Sequence, residues 1–288
     1  MKKEVNYKNW VPKSLIAGTC AGTAALAAGA ACFGVLGKGN AAKALSVLCG
    51  AGAIGCGAFA GWSVTARRAF SYDGKRQLSK QMIGGVAEHI TLPEGGIGLD
   101  VGCGSGTLTI ACAGANPQGH MVGIDLWEPF YGYSRELCQQ NALAKGVENI
   151  SFQTGDAVRL AFEDETFDAV TSNYVYHNIL SRDRQALLLE TLRVLKKGGV
   201  FAIHDIFSKA RYGDMGAFVA QTAGLRARGV DRHHRRSFYE PVGSGQTHVG
   251  RLGPVGGTEI AEGNVWTDVK QSAALTGFWD RKLPFTMG

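Results

Sequence analysis

Two long stretches without a charged side chain limit what this chain can become. Ser14 to Gly37 supplies 24 such residues, and Ala44 to Ala66 another 23. As a helix each would reach roughly 35 Å, enough to cross a hydrocarbon layer of about 30 Å. Lys38-Gly39-Asn40-Ala41-Ala42-Lys43 reads as a short polar turn between them. The stretches are rich in Ala and Gly, with small residues four apart at Gly18/Gly22, Ala25/Gly29 and Gly57/Gly61. That spacing lets two helix backbones approach closely in lipid. A signal peptide has an apolar region of only about 7–15 residues and would not occur twice. The other reading is a flexible Gly/Ala-rich arm. The expectation is a transmembrane helical hairpin, with spans at 14–37 and 44–66.

Lys2, Lys3, Lys8 and Lys13 precede the first span, and Arg67, Arg68, Lys75, Arg76 and Lys80 follow the second, against two lysines in the turn. The excess of positive charge on one side predicts that both ends face the cytoplasm. Residues 1–13 then form a basic cytoplasmic N-terminus, and 67–84 a linker to whatever follows.

Charge is distributed unevenly. Residues 1–80 carry +9, residues 81–223 carry −6 and residues 224–288 carry +3, within a total of +6. A nucleic-acid binder places its basic stripe on the folded domain, and here the middle is acidic, so no nucleic-acid partner is expected. The seven cysteines include no CxxC pair. They read as small buried hydrophobes, with neither a metal site nor a disulfide framework.

From about residue 85 the pattern alternates. Short apolar runs at Ile97–Val101, Met121–Ile124, Ile150–Gln153, Phe167–Ser172 and Val200–Ile206 are separated by helical stretches over Ser105–Ala115, Tyr133–Lys145 and Arg182–Leu195. Strands divided by helices predict an α/β domain with a doubly wound, Rossmann-like parallel sheet over 85–223. Such sheets bind ligands at the carboxyl ends of their strands. The first strand ends in Leu99-Asp100-Val101-Gly102-Cys103-Gly104-Ser105-Gly106-Thr107. Glycines permit a tight turn and let backbone N–H groups approach a ligand at a helix N-terminus. The spacing is GxGxG, unlike the GxGxxG of dinucleotide folds. Asp100, two residues before the first glycine, would repel a pyrophosphate and favours a ligand with a cation nearby. Asp125 ends the second strand, where an acid can accept both hydroxyls of a ribose. Asp156 follows the third, placed to accept from an adenine amino group.

Taken together, LDVGCGSGTLTI, GIDLW, GDAVRLAFEDETFDAVTSNYVYHNI and LRVLKKGGVFAIHDI resemble the successive motifs of class I S-adenosylmethionine-dependent methyltransferases, with Lys197 where that family usually has Pro. The resemblance covers residues 85–223. It implies S-adenosylmethionine as cofactor, with Asp100 and the loop of Gly102, Cys103, Gly104 and Gly106 near the methionine moiety. It also implies Asp125 and Leu126 at the ribose, Asp156 and Ala157 at the adenine, and Asn173 lining the site. It further implies methyl transfer to a nucleophile, and the expected membrane hairpin favours a small-molecule or lipid-like acceptor at the cytoplasmic membrane face. Alternatives are a non-catalytic cofactor-binding membrane protein and a nicotinamide-dependent oxidoreductase.

Tyr176 and His177, after the fourth strand, either order an acceptor and take its proton or pack over the cofactor and cap the next loop. His204-Asp205 either supports the site at the same rim or simply ends the fifth strand.

Residues 224–288 change texture: Arg and His cluster, and neither a strand nor a helix period is evident. The two edge strands that close this fold family are expected to be missing. Read one nucleotide later from Gly224, with synonymous codons freely chosen, the same DNA can encode a strand, a helix and a closing apolar strand. A stop codon then fits across Ile260-Ala261. The tail therefore reads as an irregular basic segment produced by a frameshift between about Phe218 and Gly224, with 261–288 translated past the original stop; the other reading is a lineage-specific basic tail.

Overall fold

The computed structural model describes residues 4–180, 183–214, 218, 238–242 and 245–251. Lys2 and Lys3, Arg182 at the start of an expected helix, and 252–288 with the Ile260-Ala261 codons lie outside them.

The two uncharged stretches form helices α1 (Lys13–Val35) and α2 (Gly39–Ala69). They pack antiparallel through small residues. The Ser46 hydroxyl donates to the Ala30 carbonyl at 2.7 Å. A Cβ on Gly29 would sit 3.4 Å from Cys49 Sγ, and one on Gly57 3.5 Å from Thr23, so these two glycines face the partner helix. Gly18, Gly22 and Gly61, expected at the same seam, would meet nothing within 4 Å. The expected turn over 38–43 is shorter, because α2 already begins at Gly39. Ala41 and Ala42 are strong helix formers and extend the helix into it. Large apolar side chains such as Val35, Leu48, Ile54 and Trp62 are exposed along the hairpin.

The expected linker is partly helical. α2 runs on to Ala69, burying Ala60, Ser63, Ala66 and Ala69. After a turn comes α3 (Leu78–Ala87). Gly84 and Gly85, a pair that ordinarily marks a turn, lie inside it. Ile83 and Val86 pack against Leu108, Met121, Ala169 and Val200, and that burial offsets the helix cost of two glycines.

The sheet strands are β1 (Ile97–Val101), β2 (His120–Asp125), β3 (Ile150–Thr154), β4 (Phe167–Asn173), β5 (Leu195–Asp205), β6 (Phe238–Val242) and β7 (Gly245–Arg251), in the order β3-β2-β1-β4-β5-β7-β6. The first five are parallel. Helices α4 (Thr107–Ala115), α5 (Arg135–Lys145) and α6 (Arg184–Arg193) make the crossovers. Local signals fix their ends. Ser134 caps α5 by accepting from Leu137 N, and Gly146 closes it in a left-handed conformation. Asp183 caps α6 by accepting from Ala186 N at 2.9 Å. Leu99, Val101, Ala169, Val170 and Ala202 are wholly buried, as expected of a sheet covered on both faces.

The tail corrects the expectation. β7 pairs antiparallel with β5 from Val200↔Arg251 to Asp205↔Gln246, and β6 pairs antiparallel with β7 from Phe238↔Val249 to Val242↔Gly245. The edge hairpin is thus present in the chain as written, which removes missing strands as an argument for a shifted frame. The overlooked signal is in the sequence alone, where a Gly-Ser pair separates two short runs, a dipeptide that favours hairpins.

Candidate functional site

Strand order reverses between β1 and β4, both parallel, and the crevice at their carboxyl ends is where such sheets hold ligands. The glycine loop fills one side of that crevice. Gly102, Gly104 and Gly106 have φ of +72°, +56° and +79°, a region that penalises any side chain. A Cβ on Gly102 would run into Val175, just after β4, and one on Gly106 would come within 3.0 Å of Phe152.

The loop's amides do something other than the sequence suggested. Gly102 N and Cys103 N both donate to the Ile124 carbonyl, at 2.8 and 2.9 Å, and Gly106 N donates to the Cys103 carbonyl. Gly104 N donates to Asp125 Oδ2 at 2.8 Å. Three of these donors hold the loop against β2, the fourth closes the loop on itself, and none is turned toward a ligand. A row of phosphates would find four of the loop's N–H groups already engaged.

Asp100 lies beneath the loop, 1% exposed. Its oxygens accept from Thr109 Oγ1 at 2.6 Å and Thr171 Oγ1 at 3.0 Å. Burial outweighs those bonds and pushes its carboxyl up to about 7. A nearby cation would relieve that cost. Asp125 also accepts from Trp127 N at 2.7 Å, and Trp127 Nε1 donates to the Gly104 carbonyl at 3.0 Å. Each Asp125 oxygen thus accepts from one of these backbone N–H groups and keeps a further lone pair. Leu126 is half exposed beside it. Asp156 accepts from Val158 N at 2.8 Å in a local turn, with Ala157 buried next to it. Asn173 Oδ1 accepts from His204 Nδ1 at 2.9 Å.

These residues fit S-adenosylmethionine. The bare glycine cradle accommodates close approach, the buried carboxylate matches a sulfonium or ammonium charge, and two more acids close the neighbouring strands. Among the described residues, no three His, Cys, Asp or Glu gather into a metal-ligand set.

Tyr176 is removed from the acceptor side. It is wholly buried, with its hydroxyl 2.6 Å from Thr191 Oγ1 and its carbonyl taken by Arg184. The tyrosine packs into the core because the turn after β4 rotates it inward. His177 stays at the rim, its side chain 22% exposed, with Nδ1 2.6 Å from Asp205 Oδ1. Asp205 is wholly buried and also accepts from Tyr176 N at 2.6 Å and Ile206 N at 2.6 Å. The pairing is thus His177 with Asp205, whereas the sequence grouped Asp205 with its neighbour His204.

The N-terminal segment packs against the glycine loop and α5, a contact the sequence reading missed. Asn141 on α5 donates to the carbonyls of Asn6 and Ser105, both at 3.0 Å, and accepts from Asn6 N at 2.8 Å. Tyr7 is buried with Cys103, Cys138 and Phe152. Trp10 and Phe70, at the two ends of the hairpin, lie 5.4 Å apart and flank Tyr174. Two aromatic residues inside a short basic segment were the available signal.

Residues 99–203 match a family model described as "Methyltransferase domain". Over 117 residues the chain is 32% identical to an arsenite methyltransferase of Halobacterium salinarum, covering 40% of this chain and 28% of that protein. It is 38% identical over 104 residues to a demethylmenaquinone methyltransferase of Symbiobacterium thermophilum, covering 36% and 39%. A methyltransferase of Schizosaccharomyces pombe with no assigned substrate is 34% identical over 103 residues, covering 35% and 36%. The aligned region spans less than half the length of these relatives.

Proposed function

We propose, from the premise that residues 99–203 form a class I methyltransferase domain, that this chain transfers methyl from S-adenosylmethionine to a small, lipophilic acceptor at the cytoplasmic face of a membrane. The observation that carries the reading is the glycine cradle over buried Asp100, with its amides spent on Ile124 and Asp125. Such a pocket suits a cationic sulfur better than a pyrophosphate, and this disfavours a nicotinamide cofactor.

When bound, the cofactor would supply a methyl group on a sulfonium, which an acceptor's electron pair takes as the carbon–sulfur bond breaks. The chain's share is to hold, orient and exclude water. Asp100 balances positive charge from below the loop. Asp125 and Asp156 would accept from sugar and base, and Asn173 would border the site. With Nδ1 donated to Asp205, His177 keeps a lone pair on Nε2 and can take the proton of a protic acceptor. Asp205 fixes that tautomer and ring orientation.

The hairpin supports a membrane location, since α1 and α2 are long and apolar enough to span. The relatives named as methylating demethylmenaquinone support a lipophilic acceptor. The test is transfer of labelled methyl from S-adenosylmethionine to a membrane extract, with calorimetric binding of that cofactor and of NAD in parallel. Cofactor binding without transfer would leave a non-catalytic binding protein, and NAD binding alone would overturn the reading.

A further inference from the structure

We propose that the rings gathered around Tyr174, namely Trp10, Phe70, His177 and His204, form the acceptor-binding site, and that it takes a flat, conjugated, apolar group bearing a hydrogen-bond donor. This rests on the methyl-transfer reading and adds to it the wall of the site and the shape of the ligand.

Tyr174 is the hub. Its ring centroid lies 4.9 Å from His204, 5.2 Å from Trp10, 5.5 Å from His177 and 6.4 Å from Phe70. Its φ of 58° is a left-handed conformation that a bulky residue adopts only under constraint. Two bonds hold it there: Tyr174 N donates to the His204 carbonyl at 2.8 Å, and Asn178 Nδ2 donates to the Tyr174 carbonyl at 3.2 Å. Strain fixed in this way, directly between Asn173 and the Val175 that abuts Gly102, points the hub toward use at the cofactor crevice.

His204 supplies a polar anchor. It is 2% exposed, and Nδ1 is engaged by Asn173. Nε2 is buried and lacks a hydrogen-bond partner among the described residues. A buried acceptor left unmade is costly, and a ligand hydroxyl would satisfy it. Trp10, Phe70, Tyr174 and His177 are only partly buried, so their faces are not consumed by the core.

The location selects the occupant. Trp10 stands three residues before α1 and Phe70 directly after α2, so the cluster lies where both apolar helices end. An apolar acceptor leaving a bilayer along the hairpin meets these rings first. Rings at edge and tilted angles favour a flat partner that stacks over a flexible alkyl chain.

The experiment uses the full chain in phospholipid nanodiscs, with empty discs as background. Equilibrium binding is measured for 1-naphthol and for its saturated counterpart, decahydro-1-naphthol, with S-adenosylmethionine affinity measured alongside. Naphthol is expected to bind about tenfold more tightly than the saturated alcohol, and Trp10→Ala and Phe70→Ala each to weaken it about tenfold. Trp10→Phe should restore most of the affinity. His204→Phe should weaken naphthol but not naphthalene. Cofactor affinity should stay unchanged in the Trp10 and Phe70 variants. Equal binding of the two alcohols, or Trp10→Ala binding naphthol as the unaltered chain does, would overturn the site while leaving methyl transfer standing. Absence of cofactor binding in the unaltered chain would instead bring down the underlying reading.

Discussion

His177 Nδ1 sits 2.6 Å from Asp205 Oδ1, joining a rim imidazole to a carboxylate that solvent does not reach. The two residues are 28 positions apart, brought together because β4 and β5 are parallel neighbours whose carboxyl ends share one rim. If His177 accepts the acceptor's proton, His177→Gln should lower the transfer rate by roughly 10²–10⁴-fold while cofactor affinity holds. Asp205→Asn should lower it as well, by releasing the ring from its tautomer. Single-turnover transfer together with calorimetry separates these effects. Unchanged rates would mean that the acceptor needs no base.

Gly102 tolerates no side chain. Its φ is +72°, and a Cβ would meet Val175 across the β1/β4 crevice. Gly102→Ala should cost on the order of 1–2 kcal/mol from the left-handed backbone alone. The displaced loop should also lose the thermal stabilisation that S-adenosylmethionine gives the unaltered chain. A melting series with and without cofactor reads both.

Asp100 makes stability depend on pH. Burial raises its carboxyl from 3.8 to about 7, so between those values the folded chain keeps a proton that the unfolded chain has released. Its contribution to stability therefore falls as pH rises through this window and levels off above it. Asp100→Asn should flatten that slope in denaturant titrations. Affinity for the cationic cofactor should rise with pH up to about 7, because the charged carboxylate is the form a cation favours. The product, S-adenosylhomocysteine, keeps its ammonium but lacks the sulfonium charge, and should show a smaller rise if Asp100 senses the sulfur.

Asn141 ties the N-terminal segment to the glycine loop through three hydrogen bonds and is 1% exposed. Asn141→Ala leaves the Asn6 and Ser105 groups without their partner, at about 1–3 kcal/mol. The segment around Tyr7 should then become cleavable by trypsin at Lys8. Limited proteolysis followed by mass spectrometry checks this.

The hairpin should keep the chain in the membrane fraction after carbonate extraction. A cysteine introduced at Lys38, between α1 and α2, should react with an impermeant thiol reagent from outside intact cells. Labelling only after lysis would overturn the expected orientation.

Much of the sheet was legible because its signals are local. Ile97–Val101 stops at a glycine loop, Ser134 and Gly146 bracket α5, and acids close β1 and β2 at positions the strand period already fixes. The edge hairpin was not, because Phe238–Val242 and Gly245–Arg251 are short, lie within a cluster of Arg and His, and gain their regularity by pairing with β5.

By itself, the sequence determined two apolar helices, an alternating α/β domain, and a loop whose glycines must be glycines. Those features depend on side-chain period and backbone freedom within a few residues. Only the tertiary structure decided that the loop's amides bond to Ile124 and Asp125, that Asp205 serves His177, that Tyr176 turns into the core, and that Trp10 and Phe70 reach Tyr174. Each of these is a contact between residues remote in the chain, set by how the strands and the hairpin pack, and packing is a property of the whole fold that no local stretch encodes.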